Sequence, residues 1–134
     1  MSGKDNIQTV KNAYEAFGRG DVAAILDLVT DDVDWASEAS GTDAPWWGVR
    51  KGKEQAGAFF EALGKTMEVE EFTPLAFATT DDGDVLTVVK YAARYRETGK
   101  LVSMNIHHWW RFTNGKISFY RGTEDTIATA SALK

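Results

Sequence analysis

At 134 residues the chain suits one domain, spanning 1–134, near the commonest domain size. A hydrophobic fraction of 43% with five tryptophans supplies enough apolar surface for a core and for the lining of a pocket. The net charge of -5 disfavours a sequence-independent grip on nucleic-acid phosphates, and the lack of cysteine removes disulfides, thiolate catalysis and cysteine-ligated metals. The polar start MSGKDN and the lack of any long apolar run encode neither export nor membrane insertion, so a soluble, cytoplasmic protein is expected.

The elements read as helices first and strands later. Ile7, Val10, Tyr14 and Phe17 repeat at the spacing of one helix face, and Gly18 and Gly20 end that helix. Asp21 is an N-cap for a second, short helix whose apolar side is Val22, Ile25, Leu26 and Val29. A brief strand follows at Val33 and Trp35. The stretch 36–51, rich in small and turn residues, reads as loop and carries Trp46 and Trp47. Helical spacing returns from Lys53 to Leu63, with Ala56, Phe59, Phe60 and Leu63 on the buried side and Gly64 at the end. Three long strands, 69–79, 85–97 and 101–113, form a meander, and the Asn114-Gly115 turn leads into a fourth at 117–123. Asp125 then reads as a cap for a terminal helix. Helices gathered on one side of a curved antiparallel sheet give an α+β domain shaped as a cone.

The segment LVSMNIHHWWRF, 101–112, is the most informative. Strand side chains alternate, so Val102, Met104, Ile106, His108, Trp110 and Phe112 share an inward face, and His107 shares the other with Trp109 and Arg111. A titratable ring among apolar residues needs a hydrogen-bond partner or a cavity, which makes His108 the first candidate for chemistry, beside the reading of a satisfied core histidine. Tyr14 is inward on the first helix, as packing or as a pocket donor. Trp46 and Trp47, with Trp35, wall the open end of the cone, form a dimer contact or plug the core; Phe60, Trp110 and Tyr120 are further inward aromatics for binding an apolar ligand. The aspartates at 31, 32 and 34 and at 81, 82 and 84 do not reproduce a calcium loop, and neither a zinc motif nor a phosphate-cradling glycine loop is present. No metal and no cofactor are therefore expected. On the outer sheet face, Trp109 and the alternate residues Val85, Thr87, Val89, Tyr91, Ala93 and Tyr95 of the neighbouring strand suggest apolar cover by a second copy, a homodimer through the sheet.

The segment AYEAFGRGDVAAILDLVTDDVDW, the glycines of GVRKGKEQAGAFF and the ending HHWWRFTNGKISFYRGTEDTIATASAL together resemble the SnoaL-like branch of the nuclear transport factor 2-like superfamily, over nearly the whole chain. The resemblance implies a cone-shaped fold with a curved antiparallel sheet packed against three N-terminal helices. It implies relatives that include ketosteroid isomerases, polyketide cyclases, limonene epoxide hydrolase and scytalone dehydratase, along with non-catalytic binding or interaction modules. It implies homodimers as well. It places His108 where ketosteroid isomerases keep a protonated aspartate that donates to the substrate oxyanion, a role an imidazole can also fill. It places a tyrosine of the oxyanion hole on the helix of Tyr14, with Ala13 at the matching count, and the general base at Ser37, which has no proton affinity of its own at neutral pH. In the cyclases an aspartate before the terminal helix serves as the acid–base group, and here that region holds Glu124 and Asp125. Which of the two faces inward depends on whether a bulge interrupts the last strand, since Ile117 and Phe119 share the parity of Asp125 and Tyr120 that of Glu124. The implied activity is cofactor-free acid–base chemistry on a small apolar molecule, with His108, Tyr14 and either Glu124 or Asp125 as its residues; the alternative is a ligand-binding or dimeric interaction module.

Overall fold

The computed structural model describes residues 3–134, so Met1 and Ser2 of the expected 1–134 domain lie outside the described residues. Helix α1 spans Gly3–Gly18 and buries Asn6, Val10, Ala13 and Ala16. The chain reverses through Gly20, at φ 70°, into α2, Val22–Leu26, where the Asp21 carboxylate accepts from the Ala24 N–H at 3.0 Å. Val29, read as the end of that helical face, instead opens strand β1, Val29–Ser37. Strand β2, Gly48–Lys51, lies within the stretch expected to be loop. Its four residues carry no strand signature, and only pairing with β1, from Asp34↔Lys51 to Ser37↔Gly48, makes them one. Helix α3, Gly52–Thr66, runs through Gly64, whose missing side chain faces open space and does not break the turn.

Strands β3 (Met67–Thr79), β4 (Val85–Tyr95), β5 (Leu101–Thr113) and β6 (Lys116–Thr123) form the expected meander, and α4, Thr126–Ala132, closes the chain. Asn114 and Gly115, at φ 51° and 80°, supply the two positive φ angles that the tight β5–β6 hairpin needs. The sheet order is β2-β1-β6-β5-β4-β3. It is mixed, not wholly antiparallel as expected, because β1 returns beside β6 in parallel. Register shifts in the β3–β4 and β5–β6 ladders are the bulges that bend such a sheet. Helix α1 packs on β3 and β4, and α3 on β1, β2 and β3. The fold is α+β, with helices on one face of a curved, unclosed sheet.

Strand β5 alternates as its sequence reads: Val102, Ile106, His108 and Trp110 are buried, while Leu101, His107 and Trp109 are exposed. Strand β4 reverses the expectation. Residues directly opposite in an antiparallel pair share a face, and Thr87 lies opposite His108 and Val89 opposite Ile106. Val85, Thr87, Val89, Tyr91, Ala93 and Tyr95 therefore line the inner face and are buried, leaving Leu86 (44% exposed) and Trp109 (39%) as the outer apolar pair. The error has a physical source, since both alternating sets of β4 are largely apolar. No helix among the described residues is long and apolar enough to cross a membrane.

Helix α1 is tied to the β3–β4 turn by Asn6, 4% exposed, whose Nδ2 donates to the Gly83 carbonyl at 2.8 Å. Replacing Asn6 with Ala is expected to cost about 1–3 kcal/mol in urea unfolding, the usual loss for removing one partner of a buried hydrogen bond. A change within about 0.5 kcal/mol, ordinary for a surface site, would contradict this anchoring role.

Candidate active site

Three elements converge on His108. Its strand position points the ring inward, where the register sets Thr87 of β4 on one side and Gly122 of β6 on the other. Tyr14, on the apolar stripe of α1, reaches down to both strands: its hydroxyl lies 2.6 Å from His108 Nδ1 and 2.7 Å from Thr87 Oγ1. A Cβ at Gly122 would collide with the Tyr120 hydroxyl and come within 3.4 Å of His108 Cδ2, so glycine makes room for that hydroxyl beside the imidazole. Tyr120 stacks on Trp35 with ring centroids 4.1 Å apart, and Trp110 meets Tyr14, Trp35 and His108 edge to face. Such contacts fix ring orientation as well as burying area.

Burial dominates the electrostatics. It drives the His108 pKa down to about 3, with the neighbouring His107 as a smaller cause, so the imidazole is neutral over the ordinary pH range. Burial also lifts the Tyr14 hydroxyl far above the usual phenol range, outweighing the opposing hydrogen bonds from Thr87 and Trp110. The Thr87–Tyr14–His108 chain then has two neutral arrangements. If Tyr14 donates to Nδ1, the proton sits on Nε2 and the ring is a hydrogen-bond donor there. If Nδ1–H donates to Tyr14 and Tyr14 to Thr87, Nε2 carries a lone pair and is a base. No partner among the described residues occupies Nε2.

Glu124 is held separately. Its Oε1 accepts from the indole N–H groups of Trp46 and Trp47, each at 3.0 Å, and its Oε2 accepts from the Thr129 hydroxyl. One carboxylate thus joins the β1–β2 loop to α4. Asp125 is turned away and caps α4, accepting from the Ala128 N–H at 3.0 Å. The choice between them is made by a bulge. Arg111 pairs with Phe119 but Phe112 with Ile117, so Ser118 is an extra residue that reverses the parity of β6 and sends Tyr120 and Gly122 inward, with Glu124 following them.

These groups border one cavity of about 90 Å³. His108, Tyr14 and Glu124 line it together with Trp35, Trp46, Phe60, Trp110 and Tyr120. Trp47 lies outside the lining, behind Trp46 and against the same carboxylate, and Asp125 does not reach it. Trp46 is only 3% exposed, which makes it part of the inner wall. Sequence reasoning missed Thr87, Thr129 and Gly122. A hydroxyl at one of the inward positions of β4 was the available signal for Thr87, and it required the β4–β5 register. Trp35 Nε1, on a side chain 1% exposed, meets no acceptor among the described residues. Among those residues no cluster of three or more His, Asp or Glu is placed to hold a metal. Asp34 instead pairs with Arg121 and Lys51, which hold its carboxyl below the usual range, and Asp84 pairs with Arg111 and Trp109.

No curated protein matches the sequence. Among solved structures, a nuclear transport factor 2-like protein of unknown function from Burkholderia pseudomallei is 24% identical, with 100% of this chain and 99% of that one covered at a TM-score of 0.88. One from Burkholderia thailandensis is 28% identical over 96% and 97% of the two chains, with a TM-score of 0.85. TerC, co-crystallised with polyporic acid, is 20% identical over 96% and 98%, with a TM-score of 0.83. The sequence family described as the SnoaL-like domain matches residues 10–120, from the middle of α1 to the inward Tyr120 of β6. By that match, and with the same helices and bent sheet in its neighbours, the chain belongs to the SnoaL-like domain family.

Proposed function

We propose that the chain is a small-molecule enzyme carrying out cofactor-free acid–base chemistry of the isomerase, cyclase, dehydratase or epoxide-hydrolase kind on a largely apolar ligand. The observation that carries this reading is an uncharged imidazole, bonded at Nδ1 to a protonated tyrosine and unpartnered at Nε2, facing the same aromatic cavity as a carboxylate. With a ketone as the simplest case, Nε2–H donates to the carbonyl oxygen while Glu124 takes a proton from the adjacent carbon. The C–H electron pair becomes the enolate double bond, and the charge arriving on oxygen is met by the imidazole donor. Returning the proton to the same or another carbon completes an exchange or an isomerisation. A neighbour of this fold was co-crystallised with polyporic acid, which supports a small organic molecule as the ligand.

A second reading, a non-catalytic module binding a partner surface, is favoured by a cavity volume of about 90 Å³, below the roughly 300–1,000 Å³ of typical ligand pockets. The two separate on proton exchange. Incubated in D2O with a panel of cyclic and alkyl ketones, the protein is expected to speed α-deuterium incorporation measured by NMR. His108→Ala and Glu124→Gln should each lose about 10²–10⁴-fold of that rate, the usual worth of a positioned acid or base. Asp125→Ala should keep the rate and lose only about 1 kcal/mol of stability, as a cap does. Exchange at the solvent rate with every ketone would leave the binding module standing.

Neutral burial of His108 also has a pH signature. The folded pKa, about 3, lies below the unfolded value near 6.5. Between those values the unfolded chain binds a proton that the native state refuses, so stability is fully present above the unfolded pKa and falls as pH drops through the window. From about pH 6.5 to about pH 4.5 the wild type should lose up to about 2–3 kcal/mol more than His108→Gln in chemical denaturation. Equal slopes for the two proteins would refute neutral burial.

For assembly we propose a homodimer through the outer sheet face at the exposed Leu86–Trp109 pair. Sedimentation should show a dimer for the wild type and a monomer for Leu86→Glu. A monomeric wild type, or a dimer untouched by the charge, counts against that face.

A further inference from the structure

The inner cavity, about 90 Å³, is smaller than the roughly 150 Å³ void that accepts benzene. It holds the head of a ligand, a few heavy atoms, and no more. A second space of about 490 Å³ lies outside it, between the turn from α1 to α2, the C-terminal end of α3 and the start of β3. Seven residues line both spaces, and three of them are half-buried rings, Phe17 touching both Phe60 and Phe72. The centroid of Phe17 lies 5.0 Å from Phe72 and 6.2 Å from Phe60, and Phe72 in turn touches Tyr14 edge to face at 5.1 Å. These rings stand where the two spaces meet, beside the tyrosine that is bonded to His108.

The outer space has a definite chemistry. Its walls are mostly apolar, and the charged residues in its described lining are Glu70, ion-paired with Arg94 at 2.9 Å, and Glu71, ion-paired with Lys90 at 3.8 Å. Among the described residues no cationic side chain lines it to pair with an anionic end. Gly18, Gly20 and Gly64 border it, and a Cβ at any of the three would meet no atom within 4 Å. The absence of side chains there leaves that volume open. At the opposite end of the inner cavity, Trp46 and Trp47 are fastened to Glu124, which closes that side.

We propose that the ligand enters on the α1–α3–β3 side through the Phe17–Phe60–Phe72 rings, and that it is an elongated, uncharged molecule: a small oxygen-bearing head beside His108 and an apolar tail in the outer space. The choice of a carbonyl head rests on the acid–base reading; the division into head and tail rests on the two spaces and the rings between them. Recognition of the tail is then hydrophobic and graded with its length.

The test uses methyl ketones from butanone to decanone, with binding followed by quenching of tryptophan fluorescence, since Trp35, Trp46 and Trp110 line the inner cavity. The Kd should fall roughly fourfold per added methylene as the tail fills the outer space. Gly64→Leu places a side chain in that space from a helical position with a normal φ, where leucine is also the better helix former. It should leave butanone binding unchanged and flatten the gain for the longer ketones. Gly18→Leu, with the same freedom at the end of α1, blocks from the other wall and guards against a folding artefact in either variant. A Kd independent of chain length, no binding by any member of the series, or a length series untouched by both leucines would overturn the proposal. Failure of the acid–base reading looks different: length-dependent binding persists while α-deuterium exchange is absent. The converse, exchange without length dependence, removes the tail site and leaves the chemistry.

Discussion

The hydrogen-bond chain from Thr87 through Tyr14 to His108 is the constraint on which the rest of the molecule turns. It joins β4, α1 and β5 at one point inside the cone, and both ends are short at 2.7 and 2.6 Å. An imidazole left alone in that place would be an unpaired buried polar group, a cost of about 1–3 kcal/mol. The tyrosine removes the cost at Nδ1, and burial then settles the charge, leaving a neutral ring with one nitrogen still available. Helix α1 cannot shift along the sheet without breaking both contacts, so the fold and the protonation state of the site are held by the same bonds.

The side chains placed for chemistry lie at one end, and the other end is mostly apolar with two carboxylates in its lining. Glu124 draws two indoles and a threonine hydroxyl onto its two oxygens and so fastens the β1–β2 loop to the terminal helix. Rings of Trp35, Trp110 and Tyr120 wall the cavity that the carboxylate and the imidazole share, and Gly122 makes room for the Tyr120 hydroxyl beside His108. Toward α1 and α3 the lining becomes phenylalanine and then glycine, and the space widens. Among the described residues the side-chain donors His108 and Tyr14 line the inner cavity, while the charged groups lining the outer space are the acceptors Glu70 and Glu71, so a ligand's carbonyl oxygen is favoured inward.

Legibility in the sequence followed how different the two faces of each element are. Strand β5 was readable because its faces differ sharply, His108 sitting among apolar residues and His107 among polar ones. Tyr14 was readable as inward because the stripe of α1 is regular. Strand β4 was not, because VLTVVKYAARY is largely apolar on both parities and only its pairing with β5 decides that Thr87 faces the histidine. The choice between Glu124 and Asp125 turned on a single extra residue, Ser118, that no local composition announces. Strand β2 exists through its partner, and the place of Trp47 behind Trp46 depends on a carboxylate 77 positions away. Pairing, bulges and long-range polar contacts are tertiary facts, whereas periodicity is local, and the boundary between what was and was not readable falls along that line.

The most direct measurement is the nitrogen-15 NMR spectrum of the His108 ring as a function of pH. A neutral ring engaged with Tyr14 at Nδ1 should show the signature of an uncharged imidazole from neutral pH, through the ordinary imidazole value of about 6.5, down to about pH 4.5. A His108 ring that gains its second proton near that ordinary value would contradict neutral burial, and with it the chemistry built on that nitrogen.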